Sequence, residues 1–174
     1  MSQQHLRFAL FGNEYQTKKS VAVERTINYL RAHGAELYID RPYYEFLVRQ
    51  SDDEVWCSGV FDDYNFDVDF AISLGGDGTF LRAASRVGAK GIPVLGVNMG
   101  RLGFLSDVLP LEVEKALDEI FEGQYKLEEH TVIKVEAEGE PIEGNPYALN
   151  DIALLKRVDA SMITIRCRVN GEYL

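Results

Sequence analysis

The sequence predicts an open, mostly parallel α/β sheet domain followed by the start of a truncated all-β domain. Two observations carry the first half. Up to Gly123, short apolar runs alternate with stretches of helical periodicity, the order that builds a parallel sheet with short right-handed crossovers. The run Phe70–Leu74 is almost continuously apolar, as a strand buried on both faces requires. One observation carries the second half: after Gly123 no helical period remains, and apolar residues alternate with polar ones.

Taken in order, Arg7–Phe11 (RFALF) reads as a short buried strand, with Gly12 and Asn13 as its turn. Val23, Ile27 and Leu30 stand at helical spacing within Lys18–His33, and Gly34 is placed to stop that helix. Ala35–Ile39 is a second strand, and Tyr43–Arg49 a helix entered through Pro42. Ser51–Asp69 is rich in acids, among them Asp52, Asp53, Glu54, Asp62, Asp63, Asp67 and Asp69, and reads as a solvated surface connection. Its aromatic residues Trp56, Phe61, Tyr64 and Phe66 argue against disorder throughout. Phe70–Leu74 is a strand, Thr79–Val87 a short helix burying Phe80, Ala83, Ala84 and Val87, and Ile92–Val97 another strand. Leu111–Phe121 is amphipathic, with Val113, Leu117, Ile120 and Phe121 on one face, Pro110 near its start and Gly123 after its end.

Thr131–Ala137, Tyr147–Lys156 and Met162–Val169 are strand-like, and Asn170-Gly171 is a hairpin-turn signal. This divides the chain into residues 1–123, an α/β nucleotide-binding domain, and residues 124–174, an incomplete all-β domain. The hairpin at Asn170-Gly171 has almost no second strand, and a small set of strands with an unfinished hairpin leaves edges open. The expectation is an N-terminal fragment of a longer protein.

Composition narrows the function. A formal net charge of −10 argues against bulk electrostatic binding to nucleic acid or to an anionic membrane. It leaves room for a small anion, because backbone N–H groups of a glycine loop supply local positive potential. No apolar stretch approaches the ~20 residues of a membrane span, and no N-terminal run resembles a signal peptide. Cys57 and Cys167 have no metal-type spacing and fit reduced thiols in a cytoplasmic protein. His5, His33 and His130 show no catalytic or metal spacing.

The chemistry concentrates at Ala71–Phe80 (AISLGGDGTF). Gly75, Gly76 and Gly78 permit close approach of the backbone to a bound group, and with Thr79 they open a helix whose N-terminus suits phosphate. The lysine of a P-loop is missing, and so is the GxGxxG spacing. Asp77 sits among these glycines. It could cap its helix, or, beside bound phosphate, accept a proton or meet a metal. Arg82 and Arg101 flank the two glycine loops and either face phosphate or pair with nearby acids. Phe104 and Leu105, in the loop Asn98–Asp107 (NMGRLGFLSD), belong to a core or to a ligand pocket. Asn150-Asp151 lies within an apolar run. It is a bulge between short strands, or a pair of polar groups set on a strand to hold hydroxyls.

Three stretches together, LGGDGTFL at Leu74–Leu81, VNMGRLGFLSD at Val97–Asp107 and LND at Leu149–Asp151, resemble the bacterial NAD kinase family over nearly the whole chain. The first is shared with diacylglycerol and sphingosine kinases; the second, followed within fifty residues by the Asn-Asp pair, is more specific. The resemblance implies transfer of the γ-phosphoryl group of ATP, or of inorganic polyphosphate, to the 2′-hydroxyl of the adenosine ribose of NAD, with Mg²⁺. It implies Asp77 as the residue activating that hydroxyl. Gly75, Gly76, Gly78, Thr79 and Arg82 would face phosphate, while Asp77, Gly78, Phe104, Leu105, Asn150 and Asp151 would bind NAD. The family pair is usually Asn-Glu, so Asp151 is one methylene shorter. The family continues with a further Asp-Gly segment and a Thr-Pro-Thr-Gly-Ser-Thr-Ala-Tyr motif, beyond Leu174, and works as a homo-oligomer. Little or no activity is therefore expected of residues 1–174 alone. The competing readings are a lipid or sphingoid-base kinase and a non-catalytic nucleotide-binding module.

Overall fold

The computed structural model describes residues 5–14, 21–51, 54–100, 103–139, 142, 144–155 and 162–174. Five strands form one sheet: β1 (Arg7–Gly12), β2 (Glu36–Asp40), β3 (Gly59–Phe61), β4 (Phe70–Gly75) and β5 (Val94–Asn98). Their spatial order is β3-β2-β1-β4-β5, and every neighbouring pair is parallel. Between them run α1 (Val21–Ala32), α2 (Arg41–Arg49) and α3 (Asp77–Val87), with α4 (Val113–Phe121) after β5.

Alternation along β1 shows why the strands look apolar throughout. Phe8 and Leu10 belong to a core with Ile72 and Leu74 of β4 and with Val23, Ile27 and Leu30 of α1, Phe46 and Leu47 of α2, and Val113, Leu117 and Ile120 of α4. Ala9 and Phe11, pointing the other way, pack with Ala71, with Ala83 and Val87 of α3, and with Phe61, Phe66 and Val68. Both faces are covered, so neither parity of residue is free to be polar. Gly34 and Gly123 follow α1 and α4 at φ +68° and +70°, the left-handed geometry that ends helices on glycine.

The acidic stretch departs from its sequence reading as a solvated connection. It contains β3 as the sheet's edge strand, and Phe61, Phe66 and Val68 are buried against Phe11. Asp62, Asp63 and Asp67 remain exposed, while Phe61 and Phe66 pack with α3 on the second face and Trp56 against the first core. Asp52 and Asp53 lie outside the described residues.

After α4 two small antiparallel pairs follow: β6 (Ile133–Lys134) with β7 (Tyr147–Ala148), and β8 (Arg168–Val169) with β9 (Glu172–Tyr173). Asn170 (φ 52°) and Gly171 (φ 88°) form the hairpin turn, the sign of φ at both positions that a two-residue turn needs. The longer strands expected over 131–137, 147–156 and 162–169 pair only in these two-residue pieces, and Lys156 lies outside the described residues. Ladders need an apolar layer behind them, and Leu154, Leu155 and Met162 are exposed. Among the described residues, no helix is long and apolar enough to cross a membrane.

Candidate active site

The strand order reverses between β1 and β4, and in open parallel sheets ligands bind beyond the carboxyl ends of the strands at such a switch point. The Gly75–Thr79 turn follows β4 at this place. Gly75 has to be glycine for internal reasons: a Cβ there would come within 2.6 Å of Thr79 Cβ. Gly76 and Gly78 do not. Neither has positive φ, and nothing stands within 4 Å of where their Cβ atoms would be. Both are exposed. Two glycines demanded neither by backbone angle nor by packing leave open space at a helix N-terminus, where a phosphate finds N–H groups and the positive end of the helix dipole.

Helix α3 begins at Asp77, two residues earlier than its periodicity indicates, with Gly76 as its N-cap and no side-chain capping bond. Asp77 therefore does not cap its own helix. Its carboxylate reaches across to the loop after β5, where Oδ2 accepts the Phe104 N–H at 2.9 Å and Oδ1 the Leu105 N–H at 3.1 Å. The Phe104 N–H, then that of Leu105, with Ser106 N–H adding to them, hold the Asp77 carboxyl below the usual carboxylate range, against the opposing effect of burial. Gly103 makes this approach possible: a Cβ there would stand 2.6 Å from Asp77 Cγ.

The second loop is closed at its base. Asn98 N–H donates to Val108 O at 2.8 Å, Val108 N–H to Gly96 O at 3.2 Å, and Met99 N–H to Gly75 O at 3.0 Å, which ties it to the end of β4. A Cβ on Gly96 would meet Phe80 Cδ2 at 2.8 Å and Ser106 Cα at 2.9 Å, so α3 and this loop press together over β5. At the tip the Phe104 side chain is fully exposed at 101% and Leu105 half-buried. Between a core role and a pocket role for Phe104, its exposure removes the core. Arg101 lies outside the described residues.

Arg82, on α3, leans over the end of β1. Its Nη1 donates to both carboxylate oxygens of Glu14, at 2.7 and 2.6 Å, and its Nη2 to Gly12 O. Four residues on, Arg86 pairs with Asp63 at 3.1 Å and stands 4.0 Å from Asp40. Asp40, at the end of β2, is 1% exposed, and among the described residues neither carboxylate oxygen has a hydrogen-bond partner. Burial pushes its carboxyl above the usual range, opposed by Arg86 and Arg82. Glu14 and Asp40 have no sequence signal: each is a single acid whose partner lies far along the chain.

Asn150 and Asp151 stand apart from this arrangement. Both are exposed, and Asn150 Nδ2 donates to Asp151 Oδ1 at 3.2 Å. The strand before them, β7, is anchored at α3 and its end instead, through Asn145 Nδ2 donating to Ser85 Oγ at 3.3 Å and Tyr147 packed over Gly88. Among the described residues, no group of three or more acids, histidines or cysteines is arranged to hold a metal ion.

Comparison with known proteins agrees with this geometry. A family model described as the ATP-NAD kinase N-terminal domain matches residues 8–125. An NAD kinase of Bacteroides fragilis is 47% identical over 169 residues, covering 97% of this chain and 58% of that protein. The chain thus spans less than two thirds of the length of the curated relatives it matches. Among solved structures, an NAD kinase from Archaeoglobus fulgidus in complex with ATP is 25% identical with a TM-score of 0.60, covering 97% of this chain and 56% of that one. Yeast NADH kinase complexed with NADH has a TM-score of 0.63 at 19% identity, covering 83% of this chain and 46% of the other, and shows the shared fold. The chain belongs to the NAD kinase family.

Proposed function

We propose that the protein is an NAD kinase, transferring the γ-phosphoryl group of ATP, or of inorganic polyphosphate, to the 2′-hydroxyl of the adenosine ribose of NAD to give NADP. The observation that carries this is the Asp77 carboxylate held on the N–H groups of Phe104 and Leu105. It joins the glycine turn to the loop of the second ligand, so donor and acceptor meet at one acid. The family membership supports this acceptor over the diacylglycerol or sphingoid bases of kinases that share only the first turn, and over a module without catalysis.

In this reading Gly75, Gly76, Gly78 and Thr79 offer N–H groups to the donor phosphates, with Arg82 beside them. Phe104 and Leu105 line the adenosine pocket, and Asn150 and Asp151 hold ribose hydroxyls. A carboxylate has about four lone-pair positions. The Phe104 and Leu105 amides take two of them, which leaves room for the 2′-hydroxyl. The hydroxyl oxygen bonds to the γ-phosphorus, the bond from that phosphorus to the β–γ bridging oxygen breaks, and the hydroxyl proton passes to Asp77. A carboxylate kept acidic by the Phe104 and Leu105 N–H groups is a weak base. It suits a phosphoryl transfer in which positioning and charge neutralisation provide most of the acceleration.

Mg²⁺ is the expected cation. It is usually held by substrate phosphates and one or two carboxylates rather than by a protein cage, and the lack of a three-acid cluster among the described residues fits an ion brought in on the donor's phosphates. It would neutralise the charge of the transferring group. A cytoplasmic homo-oligomer is the form in which we place the full-length protein, in keeping with its family and with Cys57 and Cys167 as free thiols.

The test is NADP formation by the full-length protein with NAD, ATP and Mg²⁺, run beside diacylglycerol as acceptor. Phosphorylation of NAD at the 2′-position is expected. Transfer to the lipid alone, or to neither, would overturn the reading.

A further inference from the structure

The grip of Asp77 on the second loop depends on a residue that touches neither ligand in the reading above. Asn98 closes β5 and is 2% exposed. A buried amide is costly unless both its ends are satisfied, and here they are satisfied by opposite sides of the same loop. Its Oδ1 accepts the Gly100 N–H at 2.9 Å, and its Nδ2 donates to Ser106 O at 3.3 Å. One side chain thus clasps the outgoing and the returning strand of the loop. Ser106 takes part twice, since its carbonyl is held by Asn98 while its N–H faces Asp77.

Without this clasp the tip would be ordered only by Asp77 and by the backbone bonds at the base of the loop. Two or three amides converging on one carboxylate need a backbone already turned toward it, because each freely rotating residue adds an entropic cost to every bond it makes. Asn98 supplies that turn by holding Gly100 and Ser106 together.

We propose that Asn98 is a positioning residue: by closing the neck of the loop it aims the N–H groups of Phe104, Leu105 and Ser106 at Asp77 and so fixes the carboxylate's orientation. The catalytic consequence rests on the reading of Asp77 as proton acceptor; the physical consequence does not. The groups facing Asp77 are the Phe104, Leu105 and Ser106 N–H donors and the N-terminus of its own helix; among the described residues no charged side chain contributes to its shift. Loosening the clasp removes donors from the charged form only, so the Asp77 carboxyl moves back up toward its ordinary value.

The experiment uses Asn98→Ala and Asn98→Leu in the full-length protein. The leucine variant keeps the volume and carries the test if the alanine variant fails to fold. The Asp77 Cγ resonance is followed through an acid titration, and kcat/KM for NAD is measured across the same pH range. Both variants are expected to titrate Asp77 at higher pH than wild type, with the acid limb of kcat/KM moving the same way and its plateau falling about tenfold. An unchanged Asp77 midpoint in folded variants, even with lowered thermal stability, overturns the proposal and leaves Asn98 a purely structural residue. A raised midpoint in the variants when the wild-type protein itself forms no NADP upholds the positioning role and removes the kinase reading, so the two fail separately.

Discussion

Gly103 and Asp77 are in close apposition: a single Cβ on Gly103 would stand 2.6 Å from the Asp77 carboxyl carbon. The loop therefore approaches the acid by its backbone, and only glycine lets it. Gly103→Ala should push the carboxylate off the Phe104 and Leu105 N–H groups while leaving the core untouched. Misplacing a reacting group by about an ångström can lower turnover on the order of a hundredfold. Steady-state kinetics beside a thermal melt check this; a variant with normal kcat would show that the apposition has no catalytic weight.

Asp77→Asn should lower kcat by roughly 10²–10⁴-fold and leave the fold intact, because the side chain is at the surface of its helix and not in either core. Turnover near that of wild type would remove Asp77 as proton acceptor.

The same acid makes the loop sensitive to pH in a defined direction. Its carboxyl is held below the ordinary range in the folded protein by the Phe104 and Leu105 N–H groups. The stabilisation is present in full above the unfolded-state value and is lost as pH falls through the folded-state value. Hydrogen exchange at the Leu105 amide should stay slow at neutral pH and lose its protection on acidification. Asp77→Asn should show weak protection at every pH. Equal protection in the two proteins would contradict the assignment.

Gly75 and Gly76 of the first turn should behave oppositely. Gly75→Ala drives a Cβ into Thr79 and should cost about 1–3 kcal/mol of stability. Gly76→Ala meets nothing within 4 Å, so its melting temperature should match wild type while its affinity for ATP drops. Titration with ATP, set against a thermal melt of each variant, separates the two; an ATP affinity unaffected in Gly76→Ala would deny that the phosphates approach there.

Glu14 holds the Arg82 guanidinium over the end of β1 with both carboxylate oxygens. If donor phosphates are to use Arg82, they compete with that carboxylate. Glu14→Gln should therefore lower KM for ATP a few-fold, and Arg82→Ala should raise it, the two changes lying within the roughly 0.5–3 kcal/mol that such hydrogen bonds contribute. If neither substitution moves the KM for ATP, the pair is a structural ion pair and Arg82 leaves the list of phosphate ligands.

How far the site was legible differs from residue to residue. Asp77 and its glycines stand out because they interrupt an apolar run within a few positions. Phe104 and Leu105 stand out only through the loop that resembles the family's. Asn98 lies in that same stretch, and nothing in its neighbours marks it as the clasp. Glu14 and Asp40 are invisible, since an acid becomes informative only when its partner is known, and Glu14 meets Arg82 across 68 positions of chain. The acidic connection was misread because its charge outweighs its aromatic content on any average, although Phe61, Phe66 and Val68 are what the sheet needs on its second face.

By itself the sequence determined β1, β2, β4, β5 and the helices α2, α3 and α4 to within a residue or two, the stops at Gly34 and Gly123, and the turn at Asn170-Gly171. These depend on local periodicity and backbone freedom, which neighbours in the chain decide. The tertiary structure alone decided the strand order, the β3 edge, the burial of Asp40, and the bonds that join Asp77 to residues 27 and 28 positions away. Those depend on which segments the parallel sheet brings to one end. Asp77 reads in the sequence as an acid beside phosphate; in the fold it is also the post on which the second loop is hung.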